Sequence, residues 1–233
     1  VKRLGGQRRG AAWWAARVTI ETRPGEEAQV DYGTGPMGRD PDTGKYRRTR
    51  LFVLMLGSSR KCVRLLAFRS SARVWAELHE KAFRRLGGTT RVVVLDNLRE
   101  GVLSPDFYDP SLNPLYRDVL THYSVTALPC KVRDPDRKGK VESGVGHAQK
   151  TPLKGKKFGS LEEAQAYLDH WEENWADKRI HGRTKRQVAA MIAEEKPFSQ
   201  GVPVRPVRRD TRGGRTRPPG GCRRARGGYA GAQ

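Results

Sequence analysis

Residues 91–97 read RVVVLDN, a run of four apolar residues closed by an acid and an amide. A short apolar run rich in valine predicts a strand buried on both faces, and such strands are typical of parallel sheets. An acid at the end of the run is costly to bury unless a cation or hydrogen bonds compensate for its charge. The stretch therefore predicts an interior strand and marks Asp96 as a candidate site residue.

Strand and helix patterns alternate on both sides of this run. The predicted elements are a strand over 28–33, a hairpin of 51–57 and 62–68, a helix over 72–86, the strand over 91–96, a helix over 113–123, a strand over 125–130, and helices over 135–149, 161–176 and 184–195. We predict that Thr184 caps the last helix, with Gln187 completing a capping box. This order predicts an α/β fold, a ribonuclease H-like five-stranded mixed sheet flanked by helices, in which three antiparallel strands precede two parallel ones.

The formal net charge is +21, which favours an anionic partner. Residues 1–25 carry six basic residues against one acid, and residues 201–233 carry nine arginines against one acid. The middle of the chain is basic as well, and it has the apolar runs of a real core. Nucleic acid is therefore the expected partner, in preference to a membrane surface.

The composition divides the chain into four parts. We expect a basic N-terminal remnant or linker over 1–25, a core over 26–150, a helical C-terminal part of that core over 151–200, and a disordered Arg/Gly/Pro-rich tail over 201–233. The tail is either a DNA-binding arm or an extension without function, such as one that follows a frameshift.

The remaining composition excludes several classes of protein. No apolar stretch approaches the roughly 20 residues that span a bilayer, and no signal peptide is visible, so we expect a soluble cytoplasmic protein with no membrane partner. The cysteines show neither disulfide nor zinc spacing, so Cys62 and Cys130 are predicted to be small buried thiols. We expect Trp171 and Trp175 to be core residues rather than base-stacking platforms.

Three acids stand out by their settings: Asp31 within the first strand, Asp96 at the end of the fourth, and Glu142 on a late helix. If the two strands are neighbours, the aspartates project side by side and the helix lays Glu142 across them. Mutual repulsion would then be relieved by a pair of Mg²⁺ or Mn²⁺ ions, which prefer oxygen ligands. Each acid alone has an ordinary structural interpretation, as a cap, a turn residue or a solvated helix residue.

Three segments together carry a resemblance to a known family. Residues 25–33 (GEEAQVDYG), 94–97 (VLDN) and 138–142 (KGKVE) resemble the Asp-Asp-Glu motifs of integrase-type transposases, and more closely those of IstA-like bacterial insertion-sequence transposases. The 45 residues between Asp96 and Glu142 are similar to that family's spacing. The segment from Asn174 through 179–182 to 184–186 resembles the end of the family's catalytic region. The resemblance covers about residues 20–200, and we expect a truncated member.

The resemblance implies a DNA transposase that cuts and joins phosphodiesters with two divalent ions. Asp31 is the candidate ligand shared by both ions, and Asp96 and Glu142 are candidates for completing one shell each. It also implies transposon ends and target DNA as partners, a homo-oligomer on DNA, and an AAA+ ATPase helper. A ribonuclease H-like nuclease without strand joining and an inactive DNA-binding remnant stay open as alternatives.

Basic and amide side chains after the third motif are candidates for holding DNA. On a helix, Lys138 and Gln149 fall near the face of Glu142, although a solvated helix face explains both equally well. The full set of DNA-binding candidates is Lys138, Lys140, Gln149, Lys150, Lys154, Lys156, Lys157, Arg179 and His181.

Overall fold

The protein is described by a computed structural model that covers residues 21–104, 110–130, 139–182 and 184–207. The strands are β1 (Glu27–Arg39), β2 (Tyr46–Leu56), β3 (Cys62–Ala67), β4 (Val92–Leu95), β5 (Val102–Ser104), β6 (Ser111–Leu112), β7 (Thr126–Pro129) and β8 (Lys157–Phe158). The α-helices are α1 (Ala72–Leu86), α2 (Pro114–His122), α3 (Gly139–Lys150), α4 (Leu161–Trp171) and α5 (Val188–Glu195). A π-helical turn, Glu172–Ala176, continues α4, and a 3-10 turn, Lys196–Phe198, continues α5.

The main sheet has the strand order β3-β2-β1-β4-β7. β1, β2 and β3 pair antiparallel, whereas β4 pairs parallel with both β1 and β7. The helix α1 carries the chain from β3 to β4, and α2 carries it to β7. This is the ribonuclease H-like mixed sheet that the sequence predicts, with the strand that bears Asp31 at its centre.

β1 is more than twice as long as predicted, because it continues past residue 33 to Arg39. The continuation contains two glycines and Pro36, which are poor strand formers and hide the strand from sequence patterns. A register shift between Thr34 and Met37 accommodates them, and pairing then resumes as far as Arg39 opposite Tyr46. β8 adds a short parallel strand beside this far end, and it was not predicted either.

One side of the sheet, which we call the aromatic face, is covered by α1 and α2. Its core contains Phe52, Trp75, His79, Phe83 and Tyr116, all at most 1% exposed. The rings meet at edges and tilts, with centroids 4.6–6.0 Å apart, the arrangement that aromatic quadrupoles favour. Burial of this aromatic area supplies a large part of the hydrophobic stabilisation of the domain.

The other side, which we call the carboxylate face, is covered by α3 and α4. β2 contributes Leu51, Val53 and Met55 to its core, and α3 contributes residues at the i, i+4 and i+7 positions. These α3 residues are Val141, Val145 and Ala148. The face contains smaller side chains than the aromatic face, so a helix backbone can lie close to the strands.

α4 deviates from the predicted helix over 161–176. It ends as an α-helix at Trp171, and the π-helical turn follows. The turn directs Glu172 inward to Arg64 of β3, where the two side chains form a buried ion pair at 2.8 Å. Earlier in α4, Gln165 lies against β3, where its side chain accepts a hydrogen bond from Leu66 N (2.8 Å) and donates one to Arg64 O (2.9 Å).

Two C-terminal predictions need correction. α5 begins at Val188, not near Thr184, and no side chain caps it; Thr184 instead bonds to the ring of His181 (3.3 Å). Residues 201–207, which were assigned to a disordered tail, follow the aromatic core, with Val207 N donating to Glu80 Oε1 (3.1 Å). Val202 and Val207 supply the apolar contacts that the arginine content concealed. The rest of the predicted tail, 208–233, lies outside the described residues.

Within the described ranges, no helix combines the length and the apolar character needed to cross a membrane. Cys62 and Cys130 are buried free thiols, as predicted, and burial raises the pKa of Cys62.

Candidate active site

Two of the three predicted acids belong to neighbouring segments of the sheet: Asp31 lies in β1, and Asp96 directly follows β4. β1 and β4 pair in parallel register, with Ala28 opposite Val93 and Gln29 opposite Val94. The same register continued by two residues places Asp31 beside Asp96. Paired residues project to the same side of a sheet, and Asp31 also pairs with Val53, which belongs to the carboxylate face. Asp31 therefore belongs to that face, and continued alternation along β4 directs Asp96 to it as well; both residues lie just beyond the parallel-paired stretch of β1 and β4.

The two aspartates differ in their surroundings. Asp31 is half-buried, and its Oδ1 accepts a hydrogen bond from Tyr32 N at 2.8 Å. Asp96 is exposed just after β4, and its Oδ1 accepts from Asn97 N at 3.2 Å. Asn97 Nδ2 in turn donates to Cys130 O at 3.1 Å, which ties the loop after β4 to the end of β7. Asn97 thus restrains the loop that carries Asp96, which the sequence alone does not indicate.

α3 is held against β1 by three contacts along its length. Val141 N donates to Gln29 Oε1 (3.2 Å) at the start of the helix, and Gln149 Nε2 donates to Thr34 O (3.0 Å) at its end. Between them Val145 packs on Gly33, where a Cβ would lie 2.4 Å from Val145 Cγ1. A glycine is therefore required at position 33 for this close approach of helix and strand.

Glu142 projects from the flank of α3 that faces β1. It lies seven residues before Gln149, so both side chains fall on the same side of the helix. The hydrogen bond from Gln149 to Thr34 O shows that this side of the helix faces β1. Gly144, on the opposite flank, faces Met55 and Cys62. Glu142 is exposed in the first turn of the helix, next to the residue that bonds Gln29. The structure thus directs Glu142 toward the side of the sheet that bears Asp31 and Asp96.

The candidate ligands are carboxylate oxygens, which are the type of ligand that a hard divalent cation prefers. Two carboxylates on adjacent parallel strands, one of them half-buried, form an oxygen-rich position, and Mg²⁺ and Mn²⁺ prefer such ligands. Over the part of the chain that the structure describes, no three His, Cys, Asp or Glu side chains are gathered closely enough to hold a metal ion. The strand register aligns Asp31 with Asp96. Glu142 lies on the same side of the sheet but does not complete a cluster of three metal ligands with them. Assignment of the three as metal ligands stays a prediction.

The DNA-binding candidates fall into different settings. Lys138 lies outside the described residues, and Lys140 is described only as part of the α3 backbone. Gln149 is bonded to the β1 backbone and is half-buried. Exposed positions on or after α3 are occupied by Lys150, Lys154, Lys156 and Lys157.

Arg179 and His181 have internal partners. Arg179 Nη1 donates to His147 Nε2 at 3.1 Å, and His181 receives the Thr184 bonds that shape its loop. Burial and the neighbouring guanidiniums of Arg179 and Arg64 lower the pKa of His147 to about 4, so the ring is neutral and can accept this bond. Arg179 therefore positions His147 on the flank of α3 that faces away from Asp31.

The interpretation of both tryptophans as core residues is wrong for Trp175. His147 and Trp171 stack against it, with centroids 5.3 and 5.4 Å away, yet 45% of Trp175 is exposed. The π-helical turn rotates the residue outward, which an ideal 3.6-residue period does not predict.

Comparison with known proteins gave several transposases as relatives. A putative transposase of Mycobacterium tuberculosis is 34% identical over 166 residues, covering 70% of this chain and 40% of that protein. The transposase for insertion sequence element IS21 of Pseudomonas aeruginosa is 27% identical over 187 residues, covering 80% of this chain and 47% of the relative. No family model matches the chain. Among solved structures, the catalytic core domain of BIV integrase has 13% identity and a TM-score of 0.49, covering 74% of this chain and 97% of that one.

The chain spans less than half the length of these two curated relatives. A putative transposase of Sinorhizobium fredii gives the same picture, with 30% identity over 184 residues, 74% of this chain and 36% of the relative. Over the matched region, the sequence similarity and the ribonuclease H-like sheet lead to one assignment: the chain is a homologue of bacterial insertion-sequence transposases, IS21 relatives among them.

Proposed function

We propose that this chain is the catalytic core of a DNA transposase, which cleaves a DNA strand and joins a DNA 3′-hydroxyl to a target phosphodiester. The observation that supports the proposal is the parallel register of β1 and β4, which, continued by two residues, brings Asp31 next to Asp96 on the face covered by the helix that bears Glu142. The relatives are named transposases, which suggests DNA transposition as the reaction. The geometry of the sheet and α3 suggests Asp31, Asp96 and Glu142 as the residues that carry it out.

In this proposal Asp31, Asp96 and Glu142 bind two divalent cations, Mg²⁺ or Mn²⁺. The cations would activate the attacking hydroxyl and stabilise the leaving oxygen of an in-line displacement. Asp31 is the candidate shared ligand because it is the more central and more buried of the two aspartates. Its bond from Tyr32 N fixes one carboxylate oxygen, which limits the rotation of the group. Asn97 restrains the loop that carries Asp96 in the same way.

The DNA is held by side chains at the end of α3 and beyond it. Lys150, Lys154, Lys156 and Lys157 are exposed and can neutralise phosphates, which supplies affinity without sequence preference. The proposal includes transposon ends and target DNA as substrates, assembly as a homo-oligomer on DNA, and an AAA+ ATPase helper, as the resemblance implies.

The test is a nicking and strand-joining assay with labelled duplexes in Mg²⁺, in Mn²⁺ and in chelator. Asp31→Asn and Asp96→Asn should each lower nicking and joining by at least about 100-fold, since loss of even an outer-shell partner of a metal site costs 10–100-fold. Asparagine keeps the oxygen that accepts the bond from Tyr32 N, so Asp31→Asn should fold normally.

Asp118→Asn, an exposed acid on α2 on the other side of the sheet, is the matched control and should retain full activity. Undiminished nicking by Asp31→Asn would refute the assignment of the site. Nicking without joining would indicate a nuclease, and no metal-dependent nicking by the wild type would indicate a DNA-binding remnant.

A further inference from the structure

The π-helical turn after α4 presents a large aromatic ring to the solvent. Trp175 is 45% exposed, while Trp171, one turn earlier, is half-buried. Single exposed apolar residues are common at protein surfaces, so exposure alone does not indicate a site. The neighbours of the Trp175 ring distinguish it, because they cover one of its faces and place a cation beside it.

Three rings at this turn form a compact stack. The Trp175 ring lies nearly parallel to the rings of His147 and Trp171, at interplanar angles of 18° and 21° and centroid distances of 5.3 and 5.4 Å. The centroids of His147 and Trp171 are themselves only 5.3 Å apart. Rings in contact with opposite faces of a third ring would be about 7 Å apart, at about 3.5 Å per contact. His147 and Trp171 therefore cover the same face of Trp175, and among the described residues no aromatic ring lies on its other face.

Beside this stack lies a guanidinium without an acidic partner among the described residues. Cζ of Arg179 is 5.7 Å from the centroid of Trp175, and Nη1 donates to the neutral ring of His147 at 3.1 Å. The nearby acids Glu172 and Asp177 pair with other cations, at 2.8 and 2.5 Å. Burial and a neighbouring guanidinium lower the pKa of Arg179. An anionic ligand would supply the counter-charge that the described part of the chain does not.

The exposed side of α3 connects this site to the candidate active site. His147 follows Glu142 by five residues, a rise of about 7.5 Å along the helix. At about 100° per residue, Ser143 lies between the two around the helix axis, and it is small and exposed. The Trp175 ring is consequently on the order of 15 Å from the carboxylate of Glu142, across the outer surface of the helix that covers the carboxylate face.

An open aromatic face beside a guanidinium is suited to a nucleotide. Aromatic rings of proteins that bind single strands stack against bases, and arginine pairs with phosphate. In a duplex both faces of a base are covered by its neighbours, so only an unpaired base can lie flat on such a ring.

The surroundings of the ring fit a protein partner less well. A protein interface needs a larger desolvated apolar centre. The exposed residues next to Trp175 in the chain are polar, namely Glu173, Asn174 and Lys178. In this part of the described chain only Ile180 adds a second large apolar side chain that is exposed. The observations therefore favour a nucleotide.

We propose that Trp175 and Arg179 bind one unpaired nucleotide of the DNA substrate, with its base stacked on the open face of Trp175 and its phosphate paired with Arg179. The proposal rests on the proposed function, because it takes the substrate to be DNA. It adds a preference for DNA with a single-stranded segment, one nucleotide of which is held on the order of 15 Å from the carboxylate of Glu142.

The experiment measures the binding of three labelled DNAs in chelator, so that no strand is cut. The first is a blunt duplex, the second carries a five-nucleotide single-stranded extension, and the third carries the same extension made of abasic nucleotides. The wild type should bind the second most tightly. Trp175→Ala should weaken that binding by about 5- to 150-fold, the loss expected when one base-stacking ring is removed, and leave the other two unchanged.

Two further variants separate stacking from a structural role of the ring. Trp175→Phe keeps an aromatic face, so it should retain most of the affinity for the extended duplex while losing the quenching of tryptophan fluorescence that binding causes in the wild type. Tyr46→Ala is the matched control, because Tyr46 is 52% exposed at the start of β2, and it should bind all three DNAs as the wild type does.

The phosphate contact is tested by salt dependence on the extended duplex. Arg179→Gln should lower the slope of log K against log salt by about 0.7, the contribution of one neutralised phosphate on a single strand. Arg73→Gln removes an exposed arginine of α1 on the other side of the sheet and should leave the slope unchanged. Equal slopes for these two variants would overturn the assignment of Arg179.

Unchanged binding of the extended duplex by Trp175→Ala, or an equal loss on all three DNAs, would overturn the nucleotide proposal and leave the transposase proposal intact. Unchanged DNA binding together with altered self-association in sedimentation would assign the ring to a protein contact, which also overturns it. Absence of binding to any of the three DNAs by the wild type would refute both proposals.

Discussion

The two faces of the sheet are built by opposite means. The aromatic face is filled by large rings in mutual contact, and its one buried histidine, His79, is neutral. The carboxylate face contains glycines, a buried ion pair and the acids of the candidate site. The aromatic face thus stabilises the fold mainly by burial of apolar area. The carboxylate face contains buried polar groups, each held in place by a specific partner.

This difference shows where the sequence can vary and where it cannot. Volume-conserving changes among apolar residues usually cost less than about 1.5 kcal/mol, so the aromatic face can be repacked. On the carboxylate face, removal of one member of a polar pair leaves the other buried without compensation, which costs more.

The largest expected effect is on the ion pair of the carboxylate face. Arg64 and Glu172 have side chains only 5% and 2% exposed, so Arg64→Met leaves a carboxylate in an apolar setting. We expect the free energy of unfolding to fall by about 3–5 kcal/mol, measured by urea denaturation. The double variant Arg64→Met/Glu172→Met should recover most of this loss, because both charges are then absent.

The control for the buried ion pair is the exposed ion pair between Arg73 and Glu77 on α1, a helix of the aromatic face. Their side chains are 63% and 31% exposed, so Arg73→Met should cost no more than about 0.5 kcal/mol. Equal losses for Arg64→Met and Arg73→Met would show that the contrast between the faces is incorrect.

The next effect tests the contact between α3 and β1. Gly33→Ala introduces a Cβ 2.4 Å from Val145 Cγ1, so Val145 and the helix that carries it must shift away from the strand. We expect a loss of about 1–3 kcal/mol in stability and a parallel loss of nicking, because Glu142 moves with α3. Gly146→Ala is the control in α3, since its Cβ meets nothing within 4 Å. It should stabilise the helix by up to about 1 kcal/mol and leave nicking intact.

The smallest expected effect is the pH dependence of stability that His79 of the aromatic face causes. Burial lowers the pKa of His79 to about 3, and the ring donates from Nδ1 to Trp75 O while Nε2 accepts from Tyr116. The unfolded chain binds a proton near pH 6.5 and the folded chain does not, so stability falls as pH drops from about 6.5 toward about 3. Between about pH 7.5 and 5.5 this histidine should account for about 1.4 kcal/mol.

His79→Gln should remove that part of the pH dependence in urea unfolding, whatever its effect at neutral pH. Arg73→Met, an exposed change on the same helix that removes no histidine, serves as the control and should keep the pH dependence of the wild type. A wild-type curve that is flat over this range would contradict the neutral, buried state of His79.

Much of this fold could be predicted because its apolar runs are short and clearly bounded. The run RVVVLDN identified the central parallel strand, and the spacing of Trp75, Leu78 and Ala82 gave α1 with its observed limits. The far half of β1 could not be predicted, because its glycines and Pro36 are tolerated only through the bulge opposite β2. Thr184 was misassigned as a cap because its partner, the ring of His181, depends on the fold of the loop.

The candidate acids could be selected from the sequence, but the residues that support them could not. An acid within or just after an apolar strand is unusual enough to mark Asp31 and Asp96 from sequence. Gln29 and Asn97 carry no such signal, because a glutamine or asparagine beside a strand is ordinary until its partner is known. Their bonds to Val141 N and Cys130 O join segments 112 and 33 residues apart in the chain, and only the tertiary structure brings these together.

The side chain of Gln165 occupies hydrogen-bonding groups on the outermost strand that a further strand would otherwise use. By satisfying Leu66 N and Arg64 O, α4 closes this border of the sheet against addition of a strand from another chain. Self-association through continuous β-structure is thereby disfavoured at β3.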